Sequence, residues 1–351
     1  MTDTVDSFDV FLNEVHVGSI SYSRKSDLTV FQLSSGYIEM DSPPILSLSL
    51  KTPTGGLNRR IQQTMVKLPP FFSNLLPESE DLRGFILRRS AMSSIRDFEL
   101  LGLLRPDLPG AVTLEPSSCE PSAALSVSLP FPETRSHTQA EAPIKFSLAG
   151  VHLKFSASLG DSTFQISDTG EGGDWIVKLP GRNYQYMPEN EFALMKFAAA
   201  VGIETPEVVL VENSSVKGLP VAISDYGDNC YAIRRFDRPS MGSRIHIEDF
   251  AQVFAVQPSE KYDYGSYRDI ASVIWTETGE PGIEQFIRRL VFSILTGNLD
   301  MHLKNWSLIY ENPCQPKLSP AYDLMSTVVY QGVDRKLALS LSKLKIRNRS
   351  P

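Results

Sequence analysis

One amphipathic segment that runs directly into a polar loop constrains this chain more than any other feature. In IEQFIRRLVFSIL (283–295), Ile283, Phe286, Ile287, Leu290, Val291, Ile294 and Leu295 recur at i, i+3, i+4, i+7, i+8, i+11 and i+12. That spacing predicts a helix with a wide core-facing stripe. Gly297 follows, and TGNLDMHLKNWSLIY (296–310) then gathers Asn298, Asp300, His302, Lys304 and Asn305. A rigid element that presents a polar loop is a common way of holding reacting groups.

The spacing within and beyond the loop narrows the chemistry. Asp300 precedes Asn305 by five residues, and Asp323, in LSPAYDLMST, lies eighteen further on. A hairpin with strands WSLIY and PKLSP is expected between them. Protein kinases use the same order: a base Asp, a metal-binding Asn, and a second metal-binding Asp beyond a hairpin. Phosphoryl transfer has to align an alcohol with the γ-phosphate, take up its proton, and neutralise a polyanion. Asp300 would accept the proton, a role worth about 10²–10⁴ in rate. Asn305 and Asp323 would supply hard oxygens to Mg²⁺, and Lys304 would balance charge near the transferred group. Taken singly, an Asn or Asp after a helix often only caps a turn, and a lone His302 is a structural hydrogen-bonder. The order and the spacing together favour the catalytic reading.

Upstream, Lys178 in DWIVKLP sits within an apolar strand, where a bare ammonium would be costly and needs an anionic partner. ATP phosphates are one candidate and Glu191, on the following predicted helix, is another; kinases use both together. KFSLAGVHLKF (145–155) places one glycine between two strands, a weak phosphate-loop signal that ordinary hairpins share. CYAIRRFDRPS (230–240) leaves the sheet and enters the helical region. It would either offer backbone groups at Arg234 and Phe236 to an adenine edge or serve as a plain connecting strand. No GxxxxGK[ST] is present, which disfavours a Walker-type nucleotidase.

The rest of the chain supplies the frame. FDVFL, VGSISYS and TVFQLSS read as an antiparallel meander, followed by helical patterns over 70–105 that break around LLPES, and by a strand in DLPGAVTLE. Residues 115–143 are rich in Pro and Ser and read as a linker. A helix is expected in MPENEFALMKFAAAVGI, and the chain from 245 onward reads as mainly helical. With 42% hydrophobic and 21% charged residues the composition is that of an ordinary globular protein. Three cysteines, Cys119, Cys230 and Cys314, stand far apart without a CxxC pair, which points to a reducing cytosol and gives no zinc site. The first residues, MTDTVDSFDV, lack a secretory signal pattern, and no apolar run is long enough to cross a bilayer. A net charge of −7 disfavours broad nucleic-acid affinity, and KLKIRNRS (343–350) reads as a solvated basic tail.

KFSLAGVHLK, DWIVKLP, ENEFALMKFAAAVGI, YAIRRFDR, RIHIEDFAQV, GNLDMHLKNWSL and LSPAYDLMST together resemble the HipA family of bacterial serine/threonine kinases. VFLNEVHVGSI, PPFFSNLLPESEDLR and DLPGAV are similar to that family's N-terminal domain, so the likeness covers nearly the whole chain. It implies an α+β, two-lobed, protein-kinase-like fold that uses ATP and Mg²⁺. The expected organisation is an N-terminal β-rich subdomain at 1–114, the linker at 115–143, a nucleotide-binding N-lobe at 144–236 and a helical catalytic C-lobe at 237–351. By resemblance Asp300 is the base, Asn305 and Asp323 hold metal, and Lys178 contacts phosphates. The loop 148–154, with Ala149, Gly150, Val151, His152 and Lys154, covers the nucleotide, Arg234 to Phe236 form the hinge, and Ser147 is the autophosphorylated serine. The family role is that of a cytoplasmic toxin which halts translation by modifying an aminoacyl-tRNA synthetase. It is paired with a HipB-like helix-turn-helix antitoxin that brings operator DNA; no membrane partner is implied. Two departures are visible. His152 stands where Gln is common, and the chain stops soon after KLALSLS where the family continues with further helices. The alternatives are a catalytically silent scaffold for an antitoxin and a kinase of a non-protein alcohol.

Overall fold

The computed structural model describes residues 5–52, 54–89, 94–117, 154–160, 163–166, 173–181, 184–218, 227–240, 242–333 and 335–342. β1 (Val5–Leu12), β2 (Val15–Ser23) and β3 (Leu28–Leu33) form the expected meander. Alternation explains it: Phe8, Val10 and Leu12 all point inward and are buried. After α1 (Ser35–Ile38) comes β4 (Gln62–Met65), then α2 (Pro70–Ser73), α3 (Glu80–Arg89), α4 (Asp97–Leu104) and β5 (Val112–Pro116). The sheet order is β4-β3-β2-β1-β5. β5 pairs with β1 as far as Pro116.

A second sheet has the order β10-β7-β6-β8-β11-β9. Its strands are β6 (Lys154–Leu159), β7 (Phe164–Ile166), β8 (Trp175–Lys178), β9 (Val208–Glu212), β10 (Val216–Lys217) and β11 (Asn229–Arg234). α5 (Met187–Ala200) packs on it between β8 and β9 in the chain. The first of the two strands expected in KFSLAGVHLKF lies outside the described residues. The two sheets do not have separate interiors. Phe8, Phe31, Phe72 and Leu101 belong to the same buried cluster as Phe155, Val177, Cys230 and Ala232.

The remaining lobe begins with β12 (His246–Asp249), a strand in a region expected to be helical. It pairs with β13 (Ser307–Asn312), which pairs with β14 (Gln315–Leu318), the expected hairpin. α6 (Phe250–Val253) and α7 (Tyr267–Thr296) complete it, with α7 broken at Gly279 ahead of Pro281. The stripe expected on α7 is overturned on one side. Phe286, Arg289, Phe292 and Ser293 are buried, whereas Ile287, Val291, Ile294 and Leu295 face outward. The buried side is set by Trp306, whose ring lies 4.7 Å from Phe286, and by α5, where Phe197 meets Phe292 at 5.3 Å. Among the described residues no helix is long and apolar enough to cross a membrane.

One feature of the connection to the helical lobe was not anticipated. Arg235, which falls within the expected hinge, and Asp237 and Arg238 just beyond it form an ion cluster with Asp107 of the N-terminal domain. Arg235 Nη1 lies 2.9 Å from Asp107 Oδ1, and Arg238 Nη1 lies 2.8 Å from Asp237 Oδ2. The Gly110 amide also donates to Asp237, at 2.9 Å. The N-terminal domain is thereby fastened to the segment between the lobes.

Candidate active site

The helix-to-loop junction is shaped by Gly297. It caps α7 with φ 72°, and a Cβ there would collide with Val328. A left-handed residue without a side chain turns the chain out of the helix at this point. The loop that follows is held by its own backbone and by Asn298. The Asn298 side chain accepts from the Asp300 amide at 3.2 Å and donates to the Asp323 carbonyl at 3.4 Å. This buried residue ties the two acid-bearing segments together. The Asn305 side-chain Nδ2 donates to the Asp300 carbonyl at 2.7 Å. Trp306 anchors the far end of the loop in the core.

Lys178, Lys154, Asp300, His302, Lys304, Asn305 and Asp323 line one cavity, with Arg234 and Phe236 at its edge. Lys178 lies on β8, 2.7 Å from Glu191 Oε1 and in direct contact with Asp323 Oδ1. Glu191, one of two open candidates for its partner, is therefore present together with an acid from the opposite lobe. Burial would lower the Lys178 pKa, but the two carboxylates outweigh it and hold the ammonium charged. Lys178 is shared between the two acids, and burial lifts Glu191 to about 7 against the pull of Lys178 and, more weakly, of Lys154. Lys154 is brought down to about 8, by burial first and with the neighbouring Lys178 adding to it. Asp323 has a φ of 54°, a left-handed backbone in a non-glycine residue, as found where a site holds a strained conformation.

Asp300 is raised above the ordinary carboxylate range, by burial first, with Tyr262 and Lys261 opposing and the Asp323 charge adding. His302 is driven down to about 3, by burial and then by Lys261, so its ring is neutral at physiological pH. Its Nδ1 is buried without a hydrogen-bond partner. Lys304 lines the cavity with its ammonium held at the wall. Its Nζ donates to the Asn74 carbonyl at 2.9 Å and lies 3.1 Å from Asp249. At the expected hinge, the Arg234 amide donates to the Glu207 carbonyl and the Arg235 amide to the Asp174 carbonyl, both within the strand framework. Those two donors are not available to a base edge. Ser147, Ala149, Gly150, Val151 and His152 lie outside the described residues.

Asn74, Glu78 and Lys261 also line the cavity, and Tyr262 donates to Asp300 beside it; sequence reasoning missed all four. Glu78 sits in the LLPES break, read only as a helix interruption, and no local pattern relates it to Lys261, 2.8 Å away. The donor set fits Mg²⁺: two hard oxygen ligands, Asn305 Oδ1 and the Asp323 carboxylate, with phosphate oxygens and water to complete the shell.

An ammonium paired to a helix glutamate, with a loop Asp and Asn and a second Asp facing it across a cleft between a sheet and a helical lobe, is the arrangement of the protein-kinase-like class. Comparison with known proteins makes the family specific. The HipA N-terminal domain profile matches residues 8–115 and the HipA-like C-terminal domain profile matches residues 146–350. This chain belongs to the HipA family. It is 47% identical over 320 residues to Y4dM of Sinorhizobium fredii, which bears a provisional kinase name; the match covers 90% of this chain and 76% of that protein. It is 23% identical over 367 residues to the serine/threonine-protein kinase toxin HipA of Shewanella oneidensis, covering 95% of this chain and 78% of the toxin. A Shewanella oneidensis MR-1 structure of HipA, HipB and operator DNA shares the fold. Its TM-score is 0.68 at 21% identity, covering 95% of this chain and 79% of that one.

Proposed function

We propose that the chain is a Mg-ATP-dependent serine/threonine protein kinase acting as the toxin of a HipA/HipB-like pair. One observation carries the reading: Lys178 from the sheet and Asp323 from the helical lobe meet directly, in the same cavity as Asp300 and Asn305. In this reading Lys178 holds the phosphate tail and Glu191 fixes Lys178. The acceptor oxygen bonds to the γ-phosphorus as the bond to the ADP oxygen breaks, and Asp300 takes the acceptor proton. Asn305 and Asp323 hold the Mg²⁺, which neutralises phosphate charge when bound. Asn298 keeps the two acidic segments in register.

The toxin role extends the reading to partners. A HipB-like antitoxin would bring operator DNA, an aminoacyl-tRNA synthetase would be the acceptor, and the cytoplasm would be the place of action. Autophosphorylation at Ser147 would disable the site, because a dianion beside the nucleotide repels its phosphates. The test is the intact mass of the protein after incubation with Mg-ATP. A gain of phosphate that Asp300→Asn removes supports the kinase. ATP-independent mass together with an absence of ATP binding would favour the silent scaffold. Labelled ATP in a bacterial lysate then separates a single protein acceptor from a small alcohol.

A further inference from the structure

The carboxylate assigned to the acceptor proton already has a hydroxyl on it. Tyr262 Oη donates to Asp300 Oδ1 at 2.8 Å, the contact a general base makes with the alcohol it deprotonates. Tyr262 lies in the turn before α7, and its ring is 45% exposed. Its ring stands edge-on to His302, with centroids 4.8 Å apart, and the Lys261 ammonium lies 5.4 Å from its centroid. Lys261 is in turn fixed by Glu78 of the N-terminal domain. The phenol therefore reaches the base from the solvent side, on a support that spans two domains.

We infer that Tyr262 occupies the acceptor-hydroxyl position on Asp300 and that an incoming alcohol must displace it, an inference that rests on the kinase reading above. The acceptor then approaches the side of Asp300 that Tyr262 covers, where the cations Lys261 and Lys304 are matched by Glu78 and Asp249. That balance suits a neutral aliphatic hydroxyl, such as a serine or threonine side chain, over a charged acceptor.

Water is the acceptor that tests this without knowledge of the natural substrate. In hydrolysis the water oxygen bonds to the γ-phosphorus, the bond to the ADP oxygen breaks, and Asp300 takes the proton and returns it to solvent. Tyr262→Phe keeps the ring against His302 and Lys261 while freeing Asp300 Oδ1 for water. With Mg-ATP as the only substrate, it should raise ADP formation about three- to tenfold, the worth of one released hydrogen bond, at unchanged ATP KM. Tyr262→Ala should show the same gain, and adding Asp300→Asn should abolish it. Hydrolysis equal to or below wild type in both Tyr262 variants overturns the inference and leaves Tyr262 a prop for the loop. If Asp300→Asn alone turns over ATP as fast as wild type, or if no form turns it over, the kinase reading falls first and this inference with it.

Discussion

Two clusters of buried charge lie close together in this protein and behave oppositely. At the connection between the lobes, Arg235 and Arg238 face Asp107 and Asp237, two cations against two anions, each with several hydrogen bonds. Burial alone would raise Asp237, but the two guanidiniums and the Gly110 amide hold it well below the ordinary carboxylate range. At the cavity, Lys178 is shared between Glu191 and Asp323, and Glu191 rises to about 7. The first cluster is saturated, even though Arg235 and Asp237 stand on the wall of the same cavity. The second is under-compensated and opens on a cleft. Saturation, more than the presence of charge, separates a structural ion cluster from one poised to bind.

Removing one member of each cluster tests that contrast most strongly. Asp107→Ala leaves Arg235 and Arg238 short of an acceptor in a dry interior and should cost about 3–5 kcal/mol in chemical denaturation. Asp323→Asn suits the left-handed backbone, leaves Lys178 on Glu191, and should change stability by less than about 1.5 kcal/mol while abolishing ATP-dependent phosphorylation. Equal losses of stability would erase the distinction. Gly297→Ala comes next. It combines a positive φ with a collision against Val328 and should lower stability by about 1–3 kcal/mol in thermal unfolding.

A third buried acid sharpens the comparison through pH. Glu248 accepts from Ser47 Oγ at 2.7 Å, from the Leu48 amide and from Tyr310, with no ion pair among the described residues. Burial lifts it from 4.5 to about 7 against those hydrogen bonds. A raised carboxyl contributes stability that is full below pH 4.5 and is lost as pH rises through about 7. Glu248→Gln should flatten the stability profile across that window by about 1 kcal/mol or more, measured as unfolding midpoint against pH. A profile as steep as wild type would assign the slope to other groups. The smallest effect belongs to the outward face of α7. Leu295 is 80% exposed, so Leu295→Lys should stay within about 0.5 kcal/mol of wild type, despite the stripe that the helix spacing suggests.

That helix shows where sequence reading stops. The period of its apolar residues was legible because helical geometry is local. Which side would be covered was not, because that depends on Trp306 and α5, brought in from elsewhere in the chain. The meander of the first three strands and the 307–318 hairpin were equally local. β12 was missed because its four residues pair with a strand sixty residues later and carry little pattern of their own.

Local chemistry determined by itself that Asp300, Asn305 and Asp323 stand in kinase order, and that Lys178, stranded among apolar neighbours, needed an anion. Only the tertiary structure decided that this anion is two acids from different lobes and that Arg235 and Arg238 are locked to Asp107. It also decided that Asp300 accepts a hydrogen bond from Tyr262, next to Lys261 on its support at Glu78. Spacing along a chain encodes order and periodicity, while charge compensation depends on distances across the fold that no local pattern carries.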